Sequence, residues 1–80
     1  MTGPVVTPDL ELDCRGQRCP LPVITLAQRI GEVPQGGVVR LLADDPAARV
    51  DVPAWCRMKG HDYLGDTRVD GFDALDVRRT

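Results

Sequence analysis

The stretch Cys19-Pro20-Leu21-Pro22 sets a nucleophile directly before two closely spaced prolines. A periodic apolar segment begins at once behind them. A cysteine reacts as its thiolate, and the N-terminus of a helix favours an anion. Proline is tolerated in a first helical turn, because the N–H it lacks has no intrahelical partner there. Pro20 is therefore expected to be the first helical residue, with Pro22 in the same turn. Together they stiffen the segment that carries Cys19. A helix end lowers a thiol pKa by roughly one unit at most, from about 8.5. That leaves a useful thiolate fraction near neutrality, and it suits a thiol that must both accept and release a group. Arg15 and Arg18 would add to the effect by folding over the sulfur.

Other residues with chemical potential have plainer readings. Cys14, Cys19, Cys56 and His61 are enough ligands for zinc, but there is no close Cys-x-x-Cys pair, so no metal is expected. Cys14 continues the alternation of Asp9-Leu10-Glu11-Leu12-Asp13 onto the inner face and is expected in the core. Its alternative is a resolving thiol that pairs with Cys19 in a reversible disulfide. Cys56, among Trp55 and Met58, is expected to fill the core. Asp44 and Asp45 look like paired carboxylates, yet turn and cap formation explain them, with Asp45 able to cap and Pro46 suited to a first turn. His61 follows a helix-ending glycine and starts a strand. Gly36-Gly37 reads as a turn, not a phosphate loop, since no strand precedes it and no Lys follows.

The elements that must position Cys19 follow from periodicity. Residues 9–13 alternate as a half-buried strand, with Leu10 and Leu12 inward. A helix is expected over residues 20–33, burying Val23, Leu26, Ala27 and Ile30. Residues 37–43 are the strongest strand, with Val39, Leu41 and Ala43 towards the helices and Val38, Arg40 and Leu42 on the other side. A second helix ends at Gly60, and Pro53 favours a start near Pro53 itself. Strands over residues 61–66 and 72–79 follow, joined through Asp70-Gly71. The order β-α-β-α-β-β predicts an α+β fold, a two-layer α/β sandwich. Its four-stranded mixed sheet has two helices on one face.

The chain has 80 residues, a net charge of −2 and three cysteines. This is room for one small domain, residues 9–80, after a flexible arm over residues 1–8. No apolar run is long enough for a membrane span, and the first residues lack the pattern of a signal peptide. An odd cysteine count without such a signal argues against a disulfide framework and places the chain in the cytoplasm. No basic face suggests nucleic acid.

The pattern Leu12, Asp13, Gly16, Cys19, Pro20, Pro22 resembles the TusA/SirA family of small sulfur-carrier proteins. The likeness continues through Leu41-Leu42-Ala43-Asp44-Asp45-Pro46, Asp51-Val52-Pro53, Cys56 and Gly60-His61. The resemblance implies the same two-layer fold and a catalytic Cys19, with Gly16, Arg18, Pro20 and Pro22 as its supporting motif. Cys19 would attack a persulfide on a donor protein, a cysteine desulfurase or a rhodanese. It would then carry the terminal sulfur and pass it to an acceptor protein, as a monomeric shuttle without metal or organic cofactor. The family is associated with tRNA thiolation, molybdenum-cofactor metabolism and sulfur oxidation. Gln17 stands where the family often has Leu, in the loop beside the sulfur, and so bears on partner choice. Two other functions compete: a thiol redox protein using a Cys14–Cys19 disulfide, and a non-catalytic binding module using the open sheet face.

Overall fold

A computed structural model describes residues 7–80. The order is β1 (Leu10–Asp13), α1 (Leu21–Arg29), a 3₁₀ turn (Ile30–Glu32), β2 (Val38–Ala43), α2 (Ala48–Lys59), β3 (Asp62–Val69) and β4 (Phe72–Arg78). Most of the arm expected over residues 1–8, residues 1–6, lies outside the described residues. The strands form one sheet in the order β1-β2-β4-β3. β1 runs parallel to β2, pairing Leu12 with Leu41, while β2–β4 and β4–β3 are antiparallel. The expected β-α-β-α-β-β mixed sheet is thus the observed one.

Alternation decides which face is covered. Leu12, Val39, Leu41, Leu75 and Val77 are buried and pack in one cluster with Leu26 and Ile30, and with Val52, Trp55 and Cys56 of α2. Both helices therefore lie on one face. The other face carries the paired Arg40 and Asp76, whose side chains meet at 2.8 Å. Val38 on that side is itself buried.

The helices depart from expectation in ways that matter for the site. Pro20 is the cap residue before α1, not its first residue, and α1 ends at Arg29, where the chain tightens into the 3₁₀ turn. Its buried stripe is Pro22, Leu26 and Ile30, at i, i+4 and i+8, with Val23 on the flank. Ala27 is exposed. The stripe drifts because Pro22, an apolar ring fixed in the first turn, takes the core position.

α2 begins at Ala48, well before Pro53, which lies inside it. Ala48, Val52, Trp55 and Cys56 are all buried, a helical stripe that spans the proline. Pro53 leaves the carbonyl of Arg49 without its usual donor, but Arg49 is exposed, so water can meet that group. Burial of the stripe outweighs the lost bond. Short i to i+3 bonds from Ala48, Arg49 and Val50 build the first turn. Gly60 ends the helix in the left-handed region, at φ 81°, with its N–H on the Cys56 carbonyl. Met58 is exposed rather than packed beside Cys56.

Candidate functional site

The loop after β1 is tied down by carboxylates from the loop after β2. The Gly16 N–H donates to both oxygens of Asp44, at 3.0 and 3.1 Å. The Cys19 N–H donates to Asp45 Oδ2 at 2.7 Å. Asp45 also accepts from the Ala47 N–H at 3.1 Å. Asp45 thereby caps the turn that opens α2, as expected, since its carbonyl also accepts the Ala48 N–H at 3.0 Å. The two aspartates also fix the Cys19 loop from across a gap of more than twenty residues in sequence. Parallel pairing of β1 with β2 makes this possible, because it brings the C-terminal ends of both strands to the same edge.

Gly16 adopts φ +85°, a left-handed conformation that suits glycine. The Cys19–Pro20 peptide bond is cis. Pro20 is exposed beside Cys19, whereas the Pro22 ring is fully buried. The two prolines of the motif therefore serve different ends: Pro20 flanks the sulfur, and Pro22 anchors α1 to the core.

Of the three cysteines, Cys19 is exposed while Cys14 and Cys56 are buried. Cys14 is in the core as expected, and Cys56 fills it. Burial raises the pKa of both thiols, that of Cys56 to about 11. Cys19 borders an open recess of about 340 Å³, lined also by Pro20, Val23, Asp51, Ala54, Trp55 and Met58. Most of that lining is apolar. His61 stacks on Trp55, with ring centroids 5.2 Å apart, and accepts the Thr80 N–H on Nδ1.

The electrostatics reverse the expected thiol activation. The Cys19 Sγ donates a hydrogen bond to Asp51 Oδ2 at 2.7 Å. That bond raises the Cys19 pKa, and desolvation and the charges of Asp51 and Asp45 add to the effect. The helix start offers little to oppose them. Pro20 and Pro22 have no N–H, and the Leu21 N–H donates to the Arg18 carbonyl. The arginines do not fold over the sulfur. Arg15 makes a bidentate pair with Asp13 and lies over the Phe72 ring, 4.8 Å from its centroid. Arg18 lines a separate recess with Gly16, Asp44, Asp45 and Pro46. Gln17 is half-buried and receives the Thr25 hydroxyl at 3.4 Å. It turns towards α1 rather than lining the recess at Cys19.

Asp51 and Asp44 are the residues that sequence reasoning missed. Asp51 was hidden by the late helix start inferred from Pro53, which left it in a loop. Asp44 was absorbed by turn chemistry. Among the described residues, no cluster of three or more His, Cys, Asp or Glu side chains is placed to hold a metal.

Fold and site together define a small thiol protein, with one accessible cysteine held at a helix start over an apolar recess. Residues 10–74 match the family described as sulfurtransferase TusA. The sulfur carrier protein TusA of Pseudomonas syringae pv. syringae is 37% identical over 81 residues, covering 99% of this chain and 96% of the relative. That of Pseudomonas putida (strain GB-1) is 41% identical over 73 residues, covering 91% of each. A crystal structure of a SirA-like protein from Desulfitobacterium hafniense superposes with a TM-score of 0.70 at 26% identity, covering 86% of this chain and 95% of that one. The chain belongs to the TusA sulfurtransferase family.

Proposed function

We propose that this chain is a sulfur carrier in a sulfur relay, taking a sulfane sulfur as a persulfide on Cys19 and delivering it to an acceptor protein. Its relatives are sulfur carriers by name. The observation that carries the assignment to Cys19 is exposure: it is the accessible thiol of the three, and it opens onto a recess with room for a partner's side chains. In the transfer, the bond between the donor cysteine sulfur and its sulfane sulfur breaks, and the electron pair stays with the donor sulfur. A bond forms between the sulfane sulfur and Cys19 Sγ, and the thiol proton ends on the donor. Donor–S–SH and Cys19–SH become donor–SH and Cys19–S–SH, with no net oxidation and no organic cofactor.

The donor in this reading is a persulfide-bearing protein of the cysteine desulfurase or rhodanese type. Gly16, Arg18, Pro20 and Pro22 support the reacting residue. Gly16 is held through Asp44, and Pro22 is held by burial. In this reading the shuttle works in the cytoplasm, where thiols are kept reduced. The Cys14–Cys19 redox reading is disfavoured, because Cys14 is fully buried and packed in the core.

The test is intact mass after incubation with a persulfide donor, on the wild type and Cys19→Ser. The wild type should gain one sulfur atom, removable by reductant, and the variant none. Gain in both proteins, or in neither while Cys14 and Cys19 oxidise together, would sink the assignment.

A further inference from the structure

The Cys19 proton has a defined place to go. Asp51 Oδ2 accepts it in a hydrogen bond of 2.7 Å, from the first turn of α2. The bond lies at one side of a recess whose other lining residues are Pro20, Val23, Ala54, Trp55 and Met58. The charged groups acting on the thiol are Asp51 from α2 and Asp45 from the loop after β2. Asp45 is engaged by the Cys19 and Ala47 N–H groups, and Arg18 is the cation that acts on it. Asp51 is thus the group that faces the sulfur itself.

We propose that Asp51 is the general base for sulfur loading, taking the Cys19 proton as Sγ attacks the sulfane sulfur of the donor. The assignment rests on the carrier reading above. A carboxylate is a weak base towards a resting thiol. Once the new S–S bond begins to form, the proton on Sγ becomes far more acidic, and a carboxylate within hydrogen-bond reach suffices to remove it. The balance is complete. The donor S–S bond breaks and its electron pair goes to the donor cysteine sulfur. The Cys19 Sγ–S bond forms. The proton passes from Sγ to Asp51 Oδ2 and then to the donor thiolate, which leaves Asp51 ionised for the next transfer. In the resting protein the same contact keeps the sulfur as a thiol, so the nucleophile is released in the act of transfer.

The test uses the full chain as wild type, Asp51→Asn and Asp51→Glu, loaded with glutathione persulfide as the probe. The rate of sulfur gain is read by intact mass between about pH 5.5 and 7.5, above the ordinary carboxylate range. The pH midpoint for Cys19 alkylation by iodoacetamide is read alongside. Ionisation of the persulfide probe affects all three proteins alike, so each variant's rate is compared with the wild-type rate at the same pH. In the wild type the Asp51 carboxylate removes the proton, whereas in Asp51→Asn loading must wait for free thiolate, so the ratio of the Asp51→Asn rate to the wild-type rate should rise about tenfold per pH unit. The alkylation midpoint of Asp51→Asn should move to lower pH, since a negative neighbour is gone. Asp51→Glu retains a carboxylate, so its rate should keep a nearly constant ratio to the wild type across the window, which a purely structural role would not produce. Loading in the wild type and Asp51→Asn with the same pH dependence and the same alkylation midpoint overturns the Asp51 assignment and leaves the carrier reading standing. Cys19 that alkylates but gains no sulfur in any of the three proteins overturns the carrier reading, and the base assignment falls with it.

Discussion

Replacing Cys14 by Ala separates the carrier from the disulfide reading and also tests the packing. Cys14 is 0% exposed and belongs to the central cluster with Leu12, Leu26 and Leu41. Its truncation removes one sulfur, similar in size to a methylene, for about 0.8 kcal/mol of lost burial. If the site does not collapse, a void of about 20 Å³ adds about 0.5 kcal/mol. The total is about 1.3 kcal/mol. In a domain of this length that corresponds to a fall in Tm of about 5–10 °C. The assay is thermal unfolding followed by circular dichroism, paired with sulfur loading by intact mass at a temperature where the variant is folded. Loading should match the wild type, because the sulfur on Cys19 does not need Cys14. A folded Cys14→Ala that no longer loads would refute the single-thiol mechanism. An unchanged Tm would refute the account of Cys14 as a packed core residue.

Two more outcomes follow from the structure. An added Cβ at Gly37 would lie 2.8 Å from the Pro34 carbonyl oxygen and 2.9 Å from Val33 Cβ, so Gly37→Ala should lower stability by about 1–3 kcal/mol, read as a lower urea midpoint; an unchanged midpoint would show that the turn before β2 yields easily. Burial pushes the Cys56 thiol up to about 11 and raises Cys14 and Tyr63 as well, so each folded-state pKa lies above its unfolded value. Their contribution is therefore fully present below the ordinary thiol range and is lost as pH rises towards 11: the urea midpoint should fall over that window, and less steeply in Cys56→Ala. A midpoint that holds steady to pH 11 would contradict the burial argument.

The sheet was legible because alternation is a strong signal where one face is buried. Leu10, Leu12 and Cys14 point inward as their spacing requires, and so do Val39, Leu41 and Ala43. The exposed Cys19 beside Pro20 was legible for a different reason, since a cysteine before a proline-marked helix start has few uses as a core residue. What failed was the weighing of proline. A single Pro53 was allowed to move the start of α2, although Ala48 and Val52 already formed a helical stripe with Trp55 and Cys56. Tertiary burial overrides a local breaker when the freed carbonyl is wet. The same error hid Asp51 and with it the sign of the Cys19 shift. The helix start at Cys19 also favours an anion less than its position suggests, because Pro20 and Pro22 have no N–H. Contacts such as Gly16 to Asp44 and Cys19 to Asp45 join positions 28 and 26 residues apart, and no local pattern announces them.

The hydrogen bond from Cys19 to Asp51 also bears on survival under oxidative conditions. Hydrogen peroxide oxidises thiolates, and a thiolate carried to sulfinic acid is lost to sulfur chemistry. An exposed cysteine with an open approach would ordinarily be vulnerable. Here the carboxylate keeps the proton on the sulfur, so a small oxidant diffusing to the surface meets the unreactive form. A persulfide donor docked on the recess holds its sulfane sulfur against Sγ while the proton passes to Asp51, whereas a freely diffusing peroxide has no such residence. The resting thiol and the recess together thereby favour the docked electrophile over the diffusing one.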